Sequence, residues 1–171
     1  MRLSRLCCAL LVALFGTWTP RQARAQAVVD GTFAVQSGLE GADPGTGAVG
    51  WQRARTRLAL GAEWLTDDTR REAIGLSALI ELERSGSFGA EVRYRRWLYP
   101  WLGAYAAVTS ILQPESLLGV TGGVTAVLPL GRAAGLFGEL STSAFPLGTD
   151  LPHDEAVLIW ASLAAGVRLR F

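Results

Sequence analysis

The single histidine, His153, stands in the run His153-Asp154-Glu155. An imidazole beside two carboxylates has the donor chemistry of a zinc site or an acid–base pair. One histidine with two adjacent carboxylates does not close a metal shell. No serine adjoins His153 to be activated as a nucleophile, so a solvated loop is expected there. Gly122-Gly123 and the other glycines form no phosphate loop, because the GxxxxGK[ST] pattern is missing. Cys7 and Cys8, the only thiols, both lie in the first ten residues. The reading is therefore no catalytic residue, no cofactor and no metal site.

The remaining chemistry is charge at alternate positions. Arg53, Arg55 and Arg57 are spaced by two, as are Glu81 and Glu83, Glu91, Arg93 and Arg95, and Arg168 and Arg170. Asp30, Glu63 and Glu139 occupy equivalent positions in their own segments. Seven basic and six acidic groups on one set of faces could form ion pairs, a proton or ion path, or a binding site. Near-balance of charge favours ion pairing that fills an interior. The structural candidates are Asp30, Arg55, Arg57, Glu81, Glu83, Glu91, Arg93, Glu139, Arg168 and Arg170.

Period two belongs to β-strands. It is clearest in the last nine residues. Phe171, Leu169, Val167, Ala165 and Leu163 share one face; Arg170, Arg168, Gly166 and Ala164 share the other. Turn signals divide the rest into eight such segments: 28–36, 51–65, 73–84, 88–97, 101–112, 117–128, 134–145 and 156–171. The two longest loops are 38–50 and 146–155. Most segments exceed the nine to eleven residues that a tilted strand needs to cross a bilayer.

Alternation does not say which face is inside. A soluble sandwich buries the apolar row; a membrane barrel turns it to lipid. Four features favour the barrel. The chain opens with an export signal. The polar row mixes charges with Gly61, Gly75, Ser77, Thr121 and Ser143, which suits a crowded lumen, and the chain has no lysine. Aromatics gather at segment ends: Trp64, Trp97, Tyr99, Trp101 and Phe171 at one, and Trp51, Phe88 and Phe145 at the other. That is the girdle pattern of a membrane barrel. The rows expected to face outward, such as Ile74, Leu76, Ala78, Ile80 and Leu82, are weakly apolar throughout.

The export signal is residues 1–25, with Arg2 and Arg5 before an apolar run of about ten residues. Ala25 and Ala27 are the alternative residues before the cleavage site. Residues 26–171 then form one domain without a thiol. Processing removes four of the 16 basic residues, leaving 12 against 15 acidic ones and a net charge near −3. A nucleic-acid partner is not expected. Charged residues make up 18% of the chain, below the roughly 25% of ordinary soluble domains.

The export signal, the eight segments and the terminal phenylalanine together resemble the small bacterial outer-membrane barrels of the OmpA-transmembrane-domain, OmpX and OmpW kind. The resemblance implies an all-β, eight-stranded antiparallel up-and-down transmembrane β-barrel in a Gram-negative outer membrane, with both termini periplasmic. It implies Phe171 as the assembly signal. Its partners would be outer-membrane lipid and the barrel assembly machinery, and the protein would be a monomer. The expected role is structural or surface-interacting and not enzymatic, with a lumen plugged by ion pairs. Lipid A-modifying barrels of the deacylase type carry His-x-Ser near a strand end; here the corresponding residue is Glu155. A lipid-modifying barrel enzyme and a soluble exported β-domain stay as alternatives.

Register adds local expectations. A turn near Asp68–Arg70 sets Arg57 opposite Glu81 and Arg55 opposite Glu83, with Cβ atoms about 5 Å apart. A turn at Gly86 would set Glu81 beside Glu91, with Arg57 and Arg93 sharing the two carboxylates. Asp30 would neighbour Arg168 or Arg170 where the barrel closes.

Overall fold

A computed structural model describes residues 28–42, 50–66, 69–82, 86–113, 116–149 and 157–171. The expected export signal, both cleavage positions, Glu83 and His153-Asp154-Glu155 lie outside the described residues, as does the side chain of Arg55.

Each alternating segment forms a strand: β1 Val29–Ala42, β2 Gly50–Leu65, β3 Glu72–Glu81, β4 Phe88–Tyr99, β5 Leu102–Gln113, β6 Leu117–Pro129, β7 Ala134–Gly148 and β8 Leu158–Arg170. Every strand pairs antiparallel with its neighbours in sequence, and β8 returns to β1, closing an eight-stranded barrel. Closure removes both sheet edges. Three backbones with positive φ lie between strands, at Arg70, Gly86 and Gly131. Val28 and Phe171 lie at one end, where strands β2–β3, β4–β5 and β6–β7 are joined. The other end, here the loop end, carries the longer connections 43–49 and 149–157. Among the described residues no helix is long and apolar enough to cross a membrane.

Strands β1 and β7 run three or more residues past their expected ends. Strand β1 continues to Ala42 because its backbone is satisfied on both sides, by β2 and by β8. Its glycines, Gly38 and Gly41, suggest a loop only when that pairing is ignored. Strand β7 continues through Pro146 to Gly148. Proline is tolerated there because β8 pairs with β7 only as far as Phe145, and the β6–β7 register shifts beside it.

Strand β2 contains a bulge. Gln36 pairs with Arg57 but Gly38 pairs with Ala54, so β2 carries one extra residue. A one-residue insertion exchanges the two faces beyond it. Ala54 is consequently buried, and Arg53, expected to point inward, is exposed.

The faces are inverted relative to a soluble protein. Leu76, Ile80, Val120, Val124, Leu140, Leu163 and Leu169 are exposed on the outer wall. Asp30, Arg57, Glu63, Glu81, Glu91, Arg93, Arg95, Glu139 and Arg168 are buried inside. Trp64, Tyr99, Trp101 and Phe171 are exposed at the end of Val28, and Trp51 and Phe88 at the loop end. Two expected girdle aromatics belong elsewhere. Phe145 is 0% exposed inside the barrel, and Trp97 is half-buried beneath the guanidinium groups of Arg95 and Arg168. A place near a strand end does not decide the face; parity does, and both residues are on the inward parity.

Candidate functional site: the buried charge network

An eight-stranded barrel is just wide enough for side chains to fill, so inward residues from distant strands meet across it. At the end of Val28 and Phe171, β1 and β8 set Asp30 opposite Arg170. The Asp30 carboxylate accepts from Arg168 Nε at 2.9 Å, from Arg168 Nη2 and from Arg170 Nε at 3.0 Å. Asp30 is 0% exposed, whereas the Arg170 side chain is 44% exposed at the mouth. The two arginines sit two residues apart on one face, so both reach the same acid across the closing seam.

The next layer joins four strands. Arg95 donates Nη1 to Glu63 at 2.9 Å and Nη2 to Glu139 at 2.5 Å. Arg93 donates Nη1 to Glu139 at 3.0 Å, and Nε and Nη2 to Glu91 Oε1 at 2.8 and 2.6 Å. Thr125 donates to Glu139 at 2.8 Å. Glu139 is thus the hub of two guanidinium groups and a hydroxyl. Arg168 links this layer to the seam, with Nη2 3.5 Å from Glu63. Glu63 Oε1 and Arg95 Nε make no hydrogen bond among the described residues. Gly75 lies beneath the stems: a Cβ there would stand 2.9 Å from Arg93 Cγ and 3.0 Å from Glu63 Cγ.

Aromatic rings line the arginines. Tyr105 lies 4.6 Å from the Arg93 guanidinium carbon, and Trp97 lies 4.8 Å from that of Arg168. Both separations fall within cation–π range. Gly123 leaves room for the Tyr105 ring, whose carbons would stand 2.8 Å from a Cβ at that position.

A hydroxyl ladder extends from Glu91. Thr109 donates to it at 3.0 Å, and Thr109–Thr121 and Thr121–Ser143 are 2.7 and 2.8 Å apart. An ionised carboxylate only accepts. Thr109 must therefore accept from Thr121, which in turn accepts from Ser143.

Towards the loop end the filling becomes apolar. Phe145 and Trp160 pack with centroids 4.3 Å apart, among Leu79, Ile111, Leu117 and Leu158. Arg57 stands over the Trp160 ring at 3.6 Å and is opposite Glu81 in register. Ser87 donates to Glu81. Glu81 does not sit beside Glu91. The β3–β4 register puts Ser77 opposite Glu91, and Glu81 N–H donates to the Ser87 carbonyl, because the hairpin is centred on position 84, two residues before Gly86. A residual cavity of about 20 Å³ lies at mid-height between Ser77, Arg93, Tyr105 and Glu139, enough for about one water.

The structure therefore brings together Asp30, Arg168 and Arg170; Glu91, Arg93 and Glu139; and Arg57 with Glu81. Tyr105, Thr109, Ser87 and Trp160 are additions that the structure makes to the expected set. Inward parity was the available signal for Tyr105, Thr109 and Trp160.

No family model and no curated protein matches the sequence. Among solved structures, the chain is similar to the outer membrane protease OmpT of Escherichia coli. The two share 8% identity over 90% of this chain and 100% of that one, with a TM-score of 0.51. It also aligns with Ail, the attachment invasion locus protein of Yersinia pestis, at 8% identity over 86% and 100% of the two chains, TM-score 0.48. Neisserial surface protein A aligns at 15% identity over 84% and 97%, TM-score 0.46. Identities this low speak to the fold alone. With a closed antiparallel sheet, an apolar outer wall and a charged interior, the chain has the fold of the bacterial outer-membrane β-barrel proteins.

Proposed function

We propose that this chain is an integral outer-membrane protein with both termini in the periplasm, a lumen sealed by its ion-pair network, and a structural or surface-interacting role without catalysis. One observation carries the reading: large apolar side chains are exposed all round the wall while five carboxylates and their arginines are buried within it. Water would penalise the first arrangement, and lipid rewards it. The longer connections join the strand ends opposite Val28 and Phe171, and such barrels keep their long loops outside the cell. Phe171, 79% exposed on the lipid-facing parity with its N–H donating to the Val29 carbonyl at 2.9 Å, is suited to act as the assembly signal.

The ion pairs seal the interior by leaving little room beside them, and the apolar layer at Phe145 and Trp160 closes the loop end. The carboxylates are engaged by guanidinium or hydroxyl donors, which supports packing over proton abstraction. The test is heat-modifiable migration in SDS together with partition to the outer membrane. Extraction by carbonate without detergent would overturn the membrane reading. A change in lipid A mass on expression would overturn the non-enzymatic role.

A further inference from the structure

The outer wall carries one charge where lipid is expected. Along the outward face of β4, Phe88, Ala90, Val92, Tyr94 and Leu98 are uncharged and Arg96 is the exception. Arg96 is exposed, and beyond it β4 bulges, so that Leu98 and Tyr99 are both exposed between Arg96 and the strand end; the guanidinium is therefore set inside the end of the apolar band and not on the rim. Register places the row Trp64–Ile74–Tyr94, two aromatic rings flanking an isoleucine, directly on its bilayer side. Glu72 is opposite Arg96 and Ala104 is on its other flank. Among the described residues no ion pair joins Arg96 to a carboxylate. Arg70 and Arg71, both exposed, belong to the adjoining turn, and the Arg71 carbonyl accepts the Trp97 N–H at 2.7 Å, which ties that turn to β4. Asp67 and Asp68 of the same turn lie outside the described residues.

A guanidinium near the end of a membrane span is stabilised by an anion at the interface, and its planar donor fork matches a phosphate. Resting on the membrane reading above, we infer that Arg96 forms a site for the headgroup of an anionic glycerophospholipid in the leaflet on the side of Val28 and Phe171. Tyr94 and Trp64 border the acyl end of that site at the depth where aromatic rings prefer to lie. Ala104 contributes no bulk that would keep the headgroup from Arg96.

The experiment refolds the protein into bilayers of phosphatidylethanolamine with a minor share of phosphatidylglycerol and counts retained lipids by native mass spectrometry. Phosphatidylglycerol is enriched on the wild type, and Arg96→Gln lowers that enrichment about fivefold. Arg132→Gln, on the β6–β7 turn, leaves it unchanged. Retention in the bulk ratio, or an equal loss with Arg132→Gln, overturns the site. Excess inorganic phosphate leaves the lipid bound; displacement would make this a soluble-anion site and also overturns it. Heat-modifiable migration is read on the same sample. A barrel that shifts but shows no enrichment removes the lipid site alone; a chain that does not shift removes the membrane reading and the site with it.

Discussion

Glu139 is the residue whose loss the network should feel most. It accepts from Arg93, Arg95 and Thr125 and is itself buried. Glu139→Ala leaves two guanidinium groups with no anion at that point, although Glu63 and Glu91 still hold their other nitrogens. Breaking one side of a buried pair costs about 3–5 kcal/mol. Retained contacts to Glu63 and Glu91 place the expected loss near the lower end, at roughly 3 kcal/mol. Arg95→Met alone, which strands Glu63 and Glu139 in part, should cost a similar amount. The double variant removes the cation with the anion, so its cost should fall short of the sum by about 2 kcal/mol, within the range for contacting residues. Thr125→Val removes one hydrogen bond and should cost about 1 kcal/mol. The assay is reversible urea unfolding in bilayers, followed by tryptophan fluorescence and gel shift. Additive costs within about 0.5 kcal/mol would refute the hub, because they would mean that the two side chains do not share one network.

Other predictions address the wall and the seam. Asp30→Ala leaves Arg168 without its principal acceptor at the β1–β8 seam; amide exchange should quicken in β1 and β8 and stay unchanged in β4–β5. Gly75→Val places a branched side chain against the Arg93 and Glu63 stems; urea midpoints should report about 1–3 kcal/mol of destabilisation, and Gly122→Val, where nothing lies within 4 Å, should report almost none. Deleting Phe171 should lower the yield of assembled barrel in cells more than it lowers the stability of barrel refolded in vitro; equal losses would deny it a role as signal.

Much of this fold is legible because strand parity is simple. The apolar rows of β3, β6 and β8 and the turn near Asp68–Arg70 are enough to place Arg57 opposite Glu81. What escapes is whatever one residue of slip can change. The extra residue in β2 turns Arg53 outward without any local mark, since Ala54-Arg55-Thr56 alternates as well as its neighbours do. The β3–β4 turn moves Glu91 opposite Ser77, away from Glu81. The cross-lumen contacts are harder still. Arg93 and Glu139 are 46 residues apart and on strands that never pair; only the curvature of a closed barrel brings them together. Phe145 and Trp160 read as interfacial or unassigned, yet they form the apolar layer under Arg57.

The central claim is that the barrel is inside out. Outside residues 7 and 8 the chain has no cysteine, so single cysteines along β8 can carry a fluorophore for quenching by nitroxide lipids. The account predicts quenching at Leu163→Cys and Ala165→Cys and none at Ser162→Cys and Ala164→Cys. Quenching with the opposite parity, or at no position, would contradict it.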